Sequence, residues 1–165
     1  MESKTGNLME LGPQLQKIMN RLMANNNLVN LLYYNDMDPL NQPHLTDEQK
    51  RNEVFNKLLK IIPRVGPKET ANSIVTLRVA SGQTVGNNKE FMTLVLSLEV
   101  FVPLTQWIVK NENLRPFLIL GEISKSLKDK KIDGLGKIIG GDFSLNFLTE
   151  EIGCYEMTFR VVEYA

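Results

Sequence analysis

The side chains that could carry covalent chemistry are few and stand far apart in this sequence. Nucleophilic catalysis needs a base within hydrogen-bond reach of a hydroxyl or thiol, and the chain has one histidine, His44, and one cysteine, Cys154. His44 lies in a proline-rich stretch, where it could act as a base but is more typical of a solvated loop residue. Cys154 opens an apolar strand pattern, which favours a small buried group over a nucleophile. We therefore predict no catalytic residue and no enzyme activity.

Two further stretches have the residue types of an ion or phosphate site without the required spacing. Asp36, Asp38 and Asn41 supply oxygen ligands, but a calcium loop also needs a glycine at its sharp turn and a closing glutamate. The glycines between residues 134 and 141 follow a helical pattern and open a strand, whereas a dinucleotide loop follows a strand and opens a helix. One cysteine and one histidine do not make a zinc site. The sequence predicts no metal and no cofactor.

Two remaining features indicate contacts rather than reactions. Trp107 follows the longest apolar strand pattern, and tryptophan is both a frequent interface anchor and an ordinary lid on a core. Both interpretations of Trp107 stay open. The lysines between residues 128 and 131 stand at the predicted end of a helix, where cations suit the helix dipole. A solvated helix end is therefore favoured over a phosphate site.

Whole-chain composition indicates an ordinary globular protein. The chain has 165 residues, 42% of them hydrophobic and 23% charged, which predicts one domain over residues 8–165 after a flexible N-terminal stretch at 1–7. The net charge of zero argues against non-specific nucleic-acid binding and does not oppose self-association. The first ten residues lack a secretory apolar region, and no run of about 18 apolar residues occurs. We expect a cytoplasmic protein, or one assembled in a cytoplasm, and no membrane partner.

The helices that must position these residues follow from apolar spacing. Apolar residues three and four apart predict a helix from Leu11 up to the asparagines at 25–27, and a short second helix over residues 28–34. Thr46, followed by acidic residues, predicts the start of a third helix that extends to about residue 57 or 59. A long helix is predicted from about residue 113 to near residue 131.

The strands follow from alternation of apolar and polar residues. Period-two patterns predict strands over residues 73–80, 91–103, 135–147 and 154–164, and two adjacent glycines within the third predict a bulge or bend. The short links between the first two and the last two strands favour antiparallel hairpins. The fold predicted is α+β: an approximately four-stranded, mainly antiparallel sheet, flanked by the N-terminal helices and by one long helix between strands two and three.

Three segments of this sequence resemble a known family. They are Leu31-Leu-Tyr-Tyr-Asn-Asp36 continuing through Asp38-Pro39, Gln42-Pro43 and residues 45–50; residues 101–108 with Gln106-Trp107-Ile108; and Leu114-Arg-Pro-Phe117 continuing to Gly121-Glu122-Ile123 and Gly134-Leu-Gly136. From Leu8 onward the chain resembles the small structural proteins of tailed bacteriophages, of the tail terminator or tail completion kind found at the neck.

The resemblance implies a structural virion protein that is assembled in the host cytoplasm. Proteins of this kind have an antiparallel sheet flanked by helices and form a ring, expected to be a hexamer, that caps the tail tube and meets the head connector. The implied partners are copies of the chain, the tail tube protein and neck proteins, while DNA passes through the ring without specific binding. No acidic block marks a lumen. Another neck component, such as a head completion or adaptor protein, a small phage enzyme or regulator, and a non-phage binding module remain alternatives.

Two long polar loops, residues 35–45 and 81–89, are predicted to contact the neighbouring rings, because loops carry most contacts to unlike partners. Such a loop could become ordered only on assembly. Together with the tryptophan, the predicted interface residues are Asn35, Asp36, Asp38, Gln42, Gln83, Asn87, Asn88 and Trp107.

Overall fold

Helices form the first part of the chain and strands most of the remainder. The computed structural model describes residues 8–61, 71–85 and 88–164, with only the backbone at 88–90 and 163, so the predicted flexible stretch at 1–7 lies outside the described residues. The helices are α1 (Leu11–Met23), α2 (Asn26–Tyr33), α3 (Asp47–Gln49) and α4 (Arg115–Leu127). The predicted stripe on α1 is confirmed: the buried residues are Leu15, Ile18, Met19 and Leu22.

Asn25 separates α1 from α2, as the asparagine run predicts. Its side-chain oxygen accepts a hydrogen bond from the Leu28 backbone N–H at 3.0 Å, which caps α2. Its side-chain nitrogen donates to the Glu122 carboxylate at 3.0 Å and to the Ser126 hydroxyl at 2.8 Å, both on α4. One polar residue therefore begins α2 and also ties it to α4.

The third predicted helix is shorter than the sequence suggests. Thr46 and Gln49 form the expected capping box, but α3 passes at once into a π-helical turn over Lys50–Val54. Asn56 then adopts a positive φ of 58°, a conformation that does not continue a right-handed helix. The predicted end at residue 57 or 59 is therefore wrong, because the helix stops before Asn56.

The sheet has more strands than predicted. The strands are β1 (Leu59–Ile61), β2 (Ile74–Val85), β3 (Asn88–Pro103), β4 (Ile108–Val109), β5 (Asn113–Leu114), β6 (Lys131–Ile132), β7 (Gly136–Leu148) and β8 (Ile152–Tyr164). Six form one curled half-barrel in the order β1-β2-β3-β8-β7-β6, and β4 pairs with β5. The four long antiparallel strands are confirmed. The total of about four is wrong, because β1 and β6 have three and two residues, too few to show alternation.

The centre of the core lies under β3. Leu96 lies opposite Val79 of β2 and Phe159 of β8, and Leu98 lies opposite Leu77 and Met157. On one face of β3 every second residue from Leu94 to Val102 is fully buried. Burial of this face, at about 25 cal/mol per Å² of apolar surface, is a major source of stability.

The ends of α4 and β7 show where local backbone breaks the pattern. The predicted helix end near residue 131 is wrong: α4 ends at Leu127, Asp129 has a positive φ of 60°, and Lys131 begins β6. Gly140 and Gly141 have φ of 107° and 104°, and the pairing of β7 with β8 shifts register there. The predicted bulge is therefore confirmed, at positions where only glycine is unstrained.

Candidate interaction surfaces

The predicted contact loop at residues 35–45 is held in place by hydrogen bonds from a buried arginine. Arg115, the first residue of α4, is fully buried. Its guanidinium donates to four backbone carbonyl oxygens: Gln106 at 2.9 Å, Leu31 at 2.5 Å, Tyr34 at 2.9 Å and Asp36 at 2.7 Å. Burial lowers the pKa of Arg115, and the nearby Asp36 carboxylate partly opposes that change. A planar guanidinium with five donors can bind several carbonyls at once, so it joins the end of α2 to the loop.

Asn30 holds the middle of the same loop. Its buried side-chain nitrogen donates to the carbonyl oxygens of Pro39 at 3.2 Å and Gln42 at 3.0 Å. Between these points Pro39–Asn41 form a 3₁₀ turn, a short regular element in a stretch predicted to have none. The loop therefore has a defined conformation without any partner, which argues against the idea that it becomes ordered only on assembly.

The predicted interface residues of this loop serve partly to shape it. Asp36 accepts a hydrogen bond from the Asp38 backbone N–H at 3.0 Å. Asp38 in turn accepts from the Asn41 side chain at 2.9 Å and lies 3.5 Å from the Lys110 ammonium. Asn35 donates to the Asn72 side chain at 2.8 Å. Asn35 and Asp36 are exposed, and Asp38 and Gln42 are half-buried, so the loop presents polar groups to solvent beside the exposed apolar side chains of Met37 and Leu40.

The second predicted loop, residues 81–89, is mostly strand. Strand β2 continues to Val85 and β3 begins at Asn88, with Gln83 opposite Thr93. The loop prediction is therefore wrong, because polar side chains can occupy a hairpin that extends beyond the core. Gln83 is exposed on this hairpin. Asn87 lies outside the described residues, as does the side chain of Asn88.

Trp107 lies at the rim of an aromatic patch on the helix side of β7 and β8. It is half-buried and packs against the core, with its ring over Gly153, where a Cβ would come within 2.5 Å of the indole. The ring centroids of Trp107 and Tyr155 are 6.2 Å apart, and those of Phe117 and Tyr155 are 5.3 Å apart. Trp107 thus acts as a lid on the core, while Phe117 and Phe143 next to it are 43% and 54% exposed.

A charged cluster that the sequence did not predict lies on the opposite face of the sheet. Glu99 on β3 is 1% exposed and lies directly across from Glu156 on β8. Arg78 on β2 is 3.3 Å from Glu99 and 3.7 Å from Glu156, so one guanidinium bridges two carboxylates that would otherwise repel. Asn146 also donates to Glu99 at 3.1 Å. The available signal was a single charged residue, Arg78 and Glu99, within each of the predicted strands 73–80 and 91–103, together with Glu156 on the last strand.

Cys154 belongs to this cluster, and its surroundings make it a poor nucleophile. Its Sγ is 3.6 Å from a carboxylate oxygen of Glu99, to which the thiol donates. Burial, followed by the charge of Glu99 and the hydrogen bond to it, raises the pKa of Cys154 to about 12. The reactive thiolate is therefore scarce at neutral pH, and within the cluster the Arg78 guanidinium offsets part of the charge of two carboxylates.

Other candidate sites remain dispersed over the described part of the chain. His44 is exposed in the loop at 35–45. No group of three or more His, Cys, Asp or Glu side chains with the geometry of a metal site occurs among residues 8–61, 71–85 and 88–164. Within those same ranges, the helices are too short or too polar to cross a membrane.

Comparison with known protein families assigns this chain to a family. A family model described as YomW matches residues 25–161, which is more than half of the chain and includes α2, α3, α4, the strands β1 to β7 and most of β8. The family takes its name from a gene product of an SPBc2-type Bacillus phage. No curated protein matches the chain.

Proposed function

We propose, from the premise that this chain belongs to the YomW family, that it is a structural protein of a tailed-phage virion. The specific role proposed is a tail terminator or tail completion ring at the neck, which caps the tail tube and joins it to the head connector. The observation that carries the proposal is the family match, because it relates the chain to a phage gene product over most of its length. The sequence resemblance noted above supplies the position at the neck.

The surfaces of the molecule suit a role in assembly. The exposed residues of the loop at 35–45 are held in place by Arg115 and Asn30, so a partner would meet a preformed surface with little ordering cost. The β2–β3 hairpin presents a second exposed polar surface. A ring needs one contact to each neighbouring copy and others to the layers above and below, and separate surfaces of this kind can meet that need.

The same proposal assigns the partners. They are further copies of the chain in a ring, expected to be a hexamer, the tail tube protein and the proteins of the head connector. The net charge of zero suits a ring through which DNA passes without specific binding, because strong non-specific binding needs excess cations. No catalytic step is assigned, and the raised pKa of Cys154 is in keeping with that.

The test is the position of the protein in mature particles. Mass analysis of purified virions should find the chain in a fixed ratio to the connector proteins, and imaging of the neck should place it between tail tube and connector. A head-side position would instead identify a head completion or adaptor protein. Absence from mature particles, or turnover of a substrate by the purified chain, would overturn the proposal.

A further inference from the structure

Most of β7 forms an open edge of the main sheet. Strand β6 pairs with the outer side of β7 only at Gly136 and Lys137, and the residues before β6 bond to the backbone of Ile138. From Ile139 to Asn146, no strand in the part of the chain that the structure describes pairs with that side. Such an edge presents backbone N–H and C=O groups to which the strand of a partner can bond.

The residue pattern of this edge is complementary to itself. Residues 142–146 alternate polar, apolar, polar, apolar and polar, and the pattern is the same when read from either end. Two copies that pair antiparallel about a two-fold axis at Ser144 place Phe143 of each copy opposite Leu145 of the other. Polar residues then lie opposite polar residues, so both faces of the joined sheet keep their character.

The edge also lacks the side chains that normally keep edge strands apart. Charged residues and proline prevent edge-to-edge pairing in many sheets, and none occurs from Phe143 to Thr149. The edge strands β1 and β6, in contrast, carry Lys60 and Lys131. Two copies therefore meet at β7 without like-charge repulsion, whereas a strongly charged partner would gain no attraction from this edge.

The exposed apolar side chains beside this edge provide an area that suits a second copy. Phe117, Phe143, Leu145 and Leu148 are between 43% and 60% exposed, and the ring centroids of Phe117 and Phe143 are 6.1 Å apart. With about 200 Å² for a whole side chain of this size, the four expose roughly 400 Å². A standard interface buries about 800 Å² on each partner, somewhat more than half of it apolar, so the patch has approximately the apolar area that such a contact needs.

We propose that the chain pairs with a second copy through residues 142–146 of β7, antiparallel about a two-fold axis at Ser144. The two main sheets then form one continuous sheet, and the aromatic patches of both copies meet on its helix side. A two-fold contact uses the same surface on both copies and closes at two, and it covers the open edge of each. The contact is separate from the head-to-tail contacts of the proposed ring and does not depend on the virion role.

A lysine on the edge tests the contact in the purified full-length protein. The axis brings each substitution into the contact twice, so Leu145→Lys should raise the dissociation constant of the dimer by about tenfold or more, measured by sedimentation. The matched control is Met9→Lys, which also replaces an exposed apolar residue, on the 3₁₀ turn before α1. It should associate like the unaltered chain. Circular dichroism of both variants should match that of the unaltered chain.

Cross-linking gives an independent measurement. Because residue 144 faces its own counterpart, Ser144→Cys with a short bismaleimide should give linked pairs and nothing larger, while the buried Cys154 stays unreactive. Thr84→Cys, on the exposed outer hairpin, should remain single.

Three results would overturn the pairing. They are a chain that stays monomeric up to about 1 mM, association that Leu145→Lys leaves unchanged, and Ser144→Cys copies that remain unlinked or form ladders. If Leu145→Lys fails to fold, the cross-linking of Ser144→Cys decides. Detection of the chain in virions is a separate measurement, so the pairing and the virion role can fail independently.

Discussion

Residues 35–45 and the outer half of the β2–β3 hairpin both present exposed polar side chains, yet they are held by different forces. The loop at 35–45 is held by buried side-chain donors, Arg115 and Asn30, that bind its backbone carbonyls. The outer hairpin is held by strand pairing, with Gly82 opposite Leu94 and Gln83 opposite Thr93. The first depends on a few side chains distant in sequence, whereas the second depends on the backbone itself.

These two modes of attachment determine where each region can tolerate substitution. Strand pairing uses N–H and C=O groups that every residue except proline supplies, so exposed hairpin side chains can vary at little cost. The loop, in contrast, loses its shape when one donor is lost, because buried carbonyls without a partner cost free energy. Surface residues of the loop can still vary, since the anchors lie underneath.

We expect the strongest destabilisation from removal of the buried guanidinium of Arg115. The variant Arg115→Met keeps the approximate length of the side chain but leaves the carbonyls of Leu31, Tyr34, Asp36 and Gln106 without their donor. Loss of a buried charged donor of this kind costs about 3–5 kcal/mol. Urea denaturation followed by circular dichroism should show that decrease in the free energy of unfolding.

Two variants control this experiment. Arg160→Met removes an exposed arginine and should change the free energy of unfolding by about 0.5 kcal/mol or less. Arg115→Lys should recover only part of the loss, because an ammonium group cannot bind four carbonyls spread around a planar fork. A decrease in the free energy of unfolding of less than about 1 kcal/mol for Arg115→Met would mean that water replaces the guanidinium as hydrogen-bond donor. The loop at 35–45 would then depend on side-chain anchors no more than the hairpin does.

The prominence of Arg115 also shows what sequence patterns can and cannot predict. The stripe on α1, the alternation along β3 and the bulge at Gly140 are local, so spacing and residue type were enough to predict them. Arg115 was invisible as an anchor because its acceptors are backbone carbonyls, and Asp36 among them stands 79 residues away. A carbonyl carries no signature in the sequence.

The Glu99 cluster was missed for a related reason. Alternation along the strands places Glu99 and Glu156 on the face opposite the apolar residues, but it does not reveal which residues lie across from each other. Only the register of β2, β3 and β8 brings Arg78 between the two carboxylates. The short strands β1 and β6 and the polar hairpin were likewise beyond pattern analysis, since tertiary pairing rather than periodicity makes them strands.

A smaller change is expected in the free energy of unfolding at alkaline pH. It tests whether the sheet stays intact when the loop at 35–45 is released. The pKa of Cys154 is raised from 9.0 to about 12 in the fold, so the unfolded thiol ionises first. Stability from this group is therefore constant below about pH 9 and falls as the pH rises from there towards 12. The free energy of unfolding, measured by urea at about pH 8 and about pH 10.5, should decrease more in the unaltered chain than in Cys154→Ala.

Burial also raises the pKa of Tyr164. Because that tyrosine is present in both proteins, the comparison with Cys154→Ala isolates the contribution of the thiol. In Arg115→Met the same alkaline difference should persist if only the loop is released, since Cys154 lies in the sheet. An Arg115→Met protein whose thiol reacts rapidly with a thiol reagent under native conditions would show that the anchor also supports the sheet.

The smallest effect on stability is expected at the hairpin. The double variant Ser81→Lys with Gln83→Lys changes two exposed side chains on β2 and keeps all strand pairing. Its free energy of unfolding should stay within about 0.5 kcal/mol of the unaltered chain.

If the hairpin contacts a neighbouring neck protein, phage that carry this variant should yield more unjoined heads and tails, counted by electron microscopy. The control variant is Asp129→Lys, which places a second exposed lysine beside Lys130. Phage that carry this variant should join heads and tails normally. Normal joining by the hairpin variant would exclude the hairpin as a contact and leave the loop at 35–45 as the surface to test. A loss of more than about 2 kcal/mol in the free energy of unfolding would show that these side chains, and not the backbone alone, hold the hairpin.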